Sequence, residues 1–262
     1  MQNLLNVDQS FTHYAVRQVE FADIPKWLRQ GAADIKANPW SSLLYGIIFT
    51  LVGGSMSILS ANNPGFFMAT AAGFMLLGPF LALGLYDLSL RREHGEPVNF
   101  LQSTLALKRN PVNLTLYAAV LGVLMLLWLR MSTIVLDVFL QETAAAELHS
   151  YFGFMAALLG SKMGWLFTLS FMSVGLMFAL VSFVTGVATV PMLLERKVSL
   201  VTALNTSIRA ILTNWKVMLA WAASIALIIG AGLLPFSLGL IIAMPLVSYA
   251  SWHAYRAMVE PV

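Results

Sequence analysis

The residues of this chain that could do chemistry are few and widely spaced. Its four histidines are His13, His94, His149 and His253, and no two stand at a spacing that would hold a metal. There is no cysteine, which excludes a thiolate metal site, an iron–sulfur cluster, a catalytic thiol and a disulfide framework. A nucleophile elbow, a His-Glu-x-x-His zinc motif and a glycine-rich phosphate loop are absent too. The sequence therefore offers no catalytic residue, no cofactor site and no metal site. One acid, Asp87, closes a long apolar run one turn before Arg91, a spacing that fits an ion pair at a membrane surface. Asp87, Tyr249 and His253 form a candidate polar cluster if their two runs touch. The plainer reading makes Tyr249 and His253 interfacial anchors.

Elements built of apolar sequence must position these groups. Of 262 residues, 59% are hydrophobic and 10% charged, against roughly 45–50% and 25% in soluble domains. A soluble core cannot absorb that excess, so most of it must face lipid. Six apolar runs approach the length of about 20 residues that a helix needs to cross the hydrocarbon layer: 39–59, 66–88, 111–129, 163–192, 215–231 and 235–257. The fourth is overlong and has to tilt or keep its outer end outside. An all-α integral membrane protein with six transmembrane helices is expected.

The net charge of +3 informs about orientation more than about partners. All Lys and Arg except Arg130 and Lys162 lie before run one, after run two, after run four or at the C-terminal end. An even number of spans returns the chain to its starting side, so the positive-inside rule places both termini in the cytoplasm. The basic residues punctuate helices without forming a stripe interleaved with aromatics, which argues for membrane lipid as partner and against nucleic acid. No cleavable signal is visible, because the first apolar run starts only near Pro39.

Taken in order, residues 1–22 read as a cytoplasmic tail. At Asp23, an expected cap, a helical pattern begins: Ile24, Trp27, Leu28, Gly31 and Ile35 share a face, with Lys26, Arg29 and Lys36 off it. Such a helix suits the headgroup boundary, apolar face down. Asn38-Pro39 then ends it and opens run one, since the residue before proline resists the α conformation while Asn caps and Pro fits a first turn. The arrangement recurs. Val98, Leu101 and Leu105 lead to Asn110-Pro111, and Val201, Leu204, Ile208 and Ile211 lead to Asn214. Asn38, Pro39, Asn110, Pro111 and Asn214 are therefore read as hinges and caps, the alternative being that the three Asn line a polar pathway.

Within the spans, Gly46, Thr50, Gly53, Gly54 and Ser57 give run one a small face for close packing, and Gly78-Pro79, Pro191 and Pro245 interrupt runs two, four and six. Trp128 is read as an interfacial anchor, and Tyr249, Trp252, His253, Tyr255 and Arg256 as an aromatic belt. The connection Arg130 to Lys162 is where a partner on the outer side would bind. Residues 23–262 thus form one expected membrane domain with repeats of about 23–97, 98–197 and 198–262. It would comprise three helical hairpins, each preceded by a cytoplasmic amphipathic helix, about a pseudo-threefold axis.

The segment Gly78-Pro79-Phe80-Leu81-Ala82-Leu83-Gly84-Leu85-Tyr86, the stretch Val19-Glu20-Phe21-Ala22-Asp23-Ile24-Pro25-Lys26-Trp27-Leu28 with Gly31 and Asp34, and the overall layout carry a resemblance over nearly the whole chain. The chain resembles the bacterial family of predicted integral membrane proteins known as domain of unknown function 2189, and more loosely the membrane regions attached to some glycerophosphodiester phosphodiesterases. The first resemblance implies a bacterial inner membrane and assigns no activity. Some of its members carry the label of putative cytochrome oxidase subunit. With no histidine in mid-span the chain cannot itself hold haem and copper, though it could accompany a subunit that does. The second resemblance concerns a membrane region only, so an enzyme is not expected.

Three functions remain. A non-catalytic scaffold or accessory subunit of a membrane complex, a respiratory one in the sense that label implies, would associate with other integral membrane subunits. A carrier or channel for lipid or a small apolar solute would need a continuous cavity. A lipid-sensing or signalling module would use the amphipathic collar.

Overall fold

The computed structural model describes residues 14–59, 63–141, 151–233 and 237–260. Among these residues the structure is helical, apart from one isolated β-bridge between Val16 and Val259. Among the described residues, three helices are long and apolar enough to cross a membrane: Pro111–Phe139, Lys162–Glu195 and Trp215–Leu233. The other apolar runs are helical as well, α2 over Pro39–Leu59 and α13 over Leu240–Met258. Run two is divided among α3 (Pro64–Leu76), α4 (Gly78–Leu81) and α5 (Leu83–Glu93). The break falls where Gly78-Pro79 is expected to interrupt it, because Pro79 has no N–H to donate.

The helices expected on the surface also form, with differences. α1 spans Asp23–Ala37. The second is short, α6 over Phe100–Ser103 followed by a 3-10 turn over Ala106–Arg109. α11 spans Leu200–Thr213, capped by Ser199, whose hydroxyl accepts from the Thr202 N–H. Asp23 does not cap α1. It is the first helical residue, and its carboxylate accepts from the Glu20 N–H and from Lys26.

The described residues divide into two compact units, those within 1–50, 79–118 and 183–262 in one, and those within 51–78 and 119–182 in the other. Their boundaries do not follow the repeats at 23–97, 98–197 and 198–262. The second unit contains parts of α2, α7 (Pro111–Gln141) and α9 (Lys162–Gly186), with α3 and α8 (Tyr151–Gly160). Its core gathers Trp128, Phe139, Phe154, Phe167, Phe171 and Phe178. Trp128 is buried, edge-on to Phe171 at 5.1 Å, with its indole N–H donating to the Ala69 carbonyl at 2.7 Å. It is a core residue and not the interfacial anchor the sequence suggests, because a partner for its N–H exists inside the protein. Arg130 to Gln141 continue α7, so the connection expected to begin at Arg130 begins as helix; Glu142, Glu147 and His149 lie outside the described residues, as does His13.

The first unit holds α1, α4 to α6 and α10 (Thr189–Glu195) to α13, with α12 over Trp215–Leu233. Here Tyr249, Trp252 and Tyr255 are fully buried. The expected aromatic belt is instead the packed face of α13, against which α1 lies. A Cβ on Gly31 would come within 2.9 Å of the Leu246 carbonyl and the Ala250 amide, so α1 turns its Trp27–Gly31 face onto protein, where the sequence places that face on headgroups. Trp27 meets Trp221 edge to face at 5.6 Å.

Pro245 cannot donate to the carbonyl of Ile241, four residues earlier. That carbonyl sits against α2 where a Cβ on Gly46 would approach to 2.1 Å, so the small face of α2 lets a helix backbone come close to the interrupted turn. Replacing Gly46 by Ala should cost about 1–3 kcal/mol from overpacking. Gly54→Ala, with nothing within 4 Å of the added Cβ, should leave the thermal midpoint in detergent unchanged or slightly raised. Equal midpoints for the two variants would mean that α2 and α13 do not meet.

Candidate functional site

The site grows from three consecutive residues at the end of α5. Successive residues of an α-helix point about 100° apart, so Arg91, Arg92 and Glu93 reach three different neighbours. Arg91 Nε donates to Asp87 Oδ2 at 2.6 Å, and Arg109 Nε, from the 3-10 turn, donates to Asp87 Oδ1 at 2.6 Å. Arg92 Nη1 donates to Asp34 Oδ1 on α1. Glu93 accepts from the Trp252 indole N–H at 2.8 Å and pairs with Arg256 Nε at 3.2 Å, both on α13.

Asp34 is 3% exposed and Asp87 fully buried, so neither carboxylate has water to fall back on. Asp34 Oδ2 also accepts from the Ser89 hydroxyl at 2.7 Å and from His253 Nε2 at 2.9 Å. An ionised carboxylate only accepts, so the imidazole donates through Nε2–H. Burial pushes the Asp34 carboxyl up, but the hydrogen bonds from His253 and Ser89, the attraction of His253 and the Arg92 bond outweigh it and hold the group below the usual carboxylate range. A third acid completes the network. Glu195, at the end of α10, takes Arg196 Nε at 3.1 Å and is also bonded by the Tyr255 hydroxyl and Arg256 Nη1.

The three residues of the expected cluster are each held by different partners. Asp87 binds Arg91 and Arg109, His253 binds Asp34, and the Tyr249 hydroxyl meets the Ser42 hydroxyl at 3.0 Å; no direct bond joins them. The Asp87–Arg91 pair is the one the spacing suggests, but it is buried where a surface pair is expected. The sequence reading misses Asp34, Ser89, Arg92, Glu93, Glu195 and Arg256 as site residues. For Asp34 a signal existed: it falls at i+7 and i+3 from Trp27 and Gly31, an acid inside the buried stripe.

The hinge asparagines also do more than cap. Asn110 Nδ2 donates to the Val198 carbonyl at 3.0 Å, and its Oδ1 accepts from Asn113 Nδ2. Asn214 Oδ1 accepts from the Val19 N–H at 2.9 Å, while its Nδ2 donates to the Arg17 carbonyl at 3.0 Å. Asn214 thereby grips a segment almost two hundred positions away in sequence. That segment continues onto the far end of the chain: Arg17 N–H donates to the Met258 carbonyl at 2.8 Å and Glu260 N–H to the Ala15 carbonyl at 3.2 Å. The Arg17 guanidinium donates to the Arg256 carbonyl at 2.8 Å, and the Arg196 guanidinium lies 4.7 Å over the Tyr14 ring.

Chemically, this arrangement fixes charges more than it exposes them. Ser89 and His253 both bond to Asp34, so the imidazole does not take the serine proton as it would in an acyl-transfer triad. Among the described residues, no group of three His, Asp or Glu side chains is gathered as a metal would require.

Residues 66–195 match the model of a family described as predicted integral membrane protein (DUF2189). The Gly78–Tyr86 segment lies inside that stretch and Val19–Leu28 outside it. No curated protein and no solved structure matches the chain, and the looser resemblance to phosphodiesterase membrane regions gains no support.

Removing one partner of a buried pair strands the other, at a cost of about 3–5 kcal/mol. Asp34→Asn should lower the thermal midpoint in detergent accordingly. Because the folded Asp34 group sits below its unfolded value near 3.9, its contribution is present above about pH 4 and lost as pH falls through the folded value. The parent protein should lose stability along that acid limb, and Asp34→Asn should show a shallower one; parallel limbs would remove Asp34 as its source. Asn214→Ala should release the terminal segment, so that limited proteolysis cuts near Arg17 several-fold faster than in the parent.

Proposed function

We propose that this chain, whose residues 66–195 match the model of a family described as predicted integral membrane protein (DUF2189), is a non-catalytic scaffold or accessory subunit of a larger membrane assembly. The observation that carries the reading is the saturation of Asp34, Asp87 and Glu195. Each of these carboxylates, buried at Asp34 and Asp87 and half-buried at Glu195, is bonded by two or more fixed donors, leaving none poised as a general base. Extraction in mild detergent followed by native mass measurement should recover the protein with other integral subunits. Recovery as a lone, homogeneous species would overturn the scaffold reading.

The architecture that goes with this role is six spans in three hairpins, with both ends in the cytoplasm of a bacterial inner membrane and three helices collaring the inner face. Three features support it. Asn110 holds the strand that leads into α11, and Asn214 holds the strand that leads into α1, a relation that steps round the repeats; no counterpart is made by the Asn38 side chain among the described residues. α5 and α10 continue covalently into the next such strand, whereas α13 meets residues 15–17 through backbone hydrogen bonds, as a ring closed without a peptide bond would. Lastly, α11 buries Thr202, Ala203, Thr206, Ser207, Ala210 and Ile211 while Val201 and Leu212 are exposed. A helix that turns mostly small and polar residues to protein and keeps large apolar ones at its surface suits a lipid boundary. In this cysteine-free chain, single cysteines at Gln18 and Glu260 should react with a membrane-impermeant reagent from one side and a cysteine at Lys162 from the other. Labelling of Gln18→Cys and Glu260→Cys from opposite sides would refute the six-span topology.

A further inference from the structure

We infer that the corner between α11 and α12 is a phospholipid site that takes a zwitterionic ethanolamine headgroup. A groove of about 720 Å³ opens there, walled on one side by Gln18 to Ala22 and on the other by Thr213 to Val217. That volume lies within the range of about 300–1,000 Å³ typical of small-molecule sites. The first wall is held in place by Asn214, whose side chain is fully used in gripping Val19, Arg17 and Ala210.

Two opposite charges line the groove. The Lys216 ammonium lies 5.5 Å over the Trp215 ring, and the exposed acid Glu20 belongs to the facing wall. Neither has an ion-pair partner within 4 Å among the described residues, whereas Arg91, Arg92, Arg109, Arg196 and Arg256 are all engaged by acids. One unpaired cation and one unpaired anion in a single groove match a headgroup carrying a phosphate and a primary ammonium. A purely anionic headgroup would leave Glu20 opposed, and a choline headgroup offers no N–H to the carboxylate.

The apolar part of the lipid has a path as well. Trp215, Leu219, Ala223 and Leu227 recur every four residues on α12 and are all exposed, and α12 is one of the three helices long and apolar enough to cross a membrane. A stripe at i, i+4, i+8 and i+12 runs nearly straight along one face. An acyl chain following it would start at the groove, beside Phe21, which is 58% exposed. The site rests on α12 being a span, not on the scaffold role.

The test is native mass spectrometry of the full chain in mild detergent, titrated separately with phosphatidylethanolamine, phosphatidylglycerol and phosphatidylcholine. The parent should retain phosphatidylethanolamine most tightly. Lys216→Gln should weaken it about fivefold, the effect of one basic residue at a charged lipid surface, while Lys108→Gln, at an exposed lysine away from the groove, should not. Glu20→Gln should reverse the order in favour of phosphatidylglycerol. Equal retention of the three lipids by the parent, or a Glu20→Gln variant that keeps the parent's order, would overturn the assignment. Loss of lipid order with the six-span labelling pattern intact would sink this site alone.

Discussion

A carboxylate withdrawn from water has to be met by donors on every open side, and Asp34 meets this demand only where α1, α5 and α13 come together. Ser89 and Arg92 approach it from α5 and His253 from α13. None of these groups could be placed without the others. The close approach of α1 to α13 at Gly31 brings Asp34 to His253, and the step from Ser89 to Arg92 is one turn of α5, so both reach one carboxylate. Asp87 joins α5 to the 3-10 turn through Arg91 and Arg109, and the half-buried Glu195 joins α10 to α13 through Tyr255 and Arg256. A unit whose charges are shared between elements in this way resists sliding, because displacement strands an ion.

The same economy governs the interrupted helices. A proline inside a helix removes a backbone donor, and polar or close-packed contacts gather near three of these interruptions. At Pro191 the helix breaks between Gly186 and Thr189, and there Ser207 Oγ donates to the Val184 carbonyl and accepts from the Ala188 N–H. One hydroxyl serves both sides of the break. After α3 the Leu76 carbonyl accepts from Ser182 Oγ at 2.7 Å. Beside Pro245 the Ile241 carbonyl packs closely against Gly46.

How much of this could be read beforehand follows from what each signal depends on. The apolar runs, the hinges at Asn38, Asn110 and Asn214 and the break at Gly78-Pro79 depend on local chemistry, and helices begin or end at those places. The aromatic residues were harder. Tyr249, Trp252 and Tyr255 have the composition of an interfacial belt, and only the arrival of α1 and α5 distinguishes a belt from a packed face. Trp128 is the same case in the other unit. Asp87 and Arg91 share a helix, so their pair was legible. Asp34 finds its partners 55 to 219 positions away, and periodicity carries no information at that range. The exposed aromatics that do suit an interface, Trp40 and Trp215, each adjoin a hinge.

The asparagine hinges show why a local reading can be sound and still incomplete. A cap needs only one side-chain oxygen, which leaves the amide nitrogen unused. At Asn214 both atoms are committed to residues near the start of the chain, so one side chain decides where α12 begins and where the terminal segment lies. The grip is worth what two buried hydrogen bonds are worth, about 1 kcal/mol each, which alone could not order a strand. It suffices because the strand is held again at the other end by Met258, Val259 and Glu260, and the two anchors share the entropy cost of fixing the residues between them. The groove wall at Gln18 to Ala22 continues directly from this doubly held segment, and this ties the shape of the corner at α11 and α12 to a contact between the two ends of the sequence.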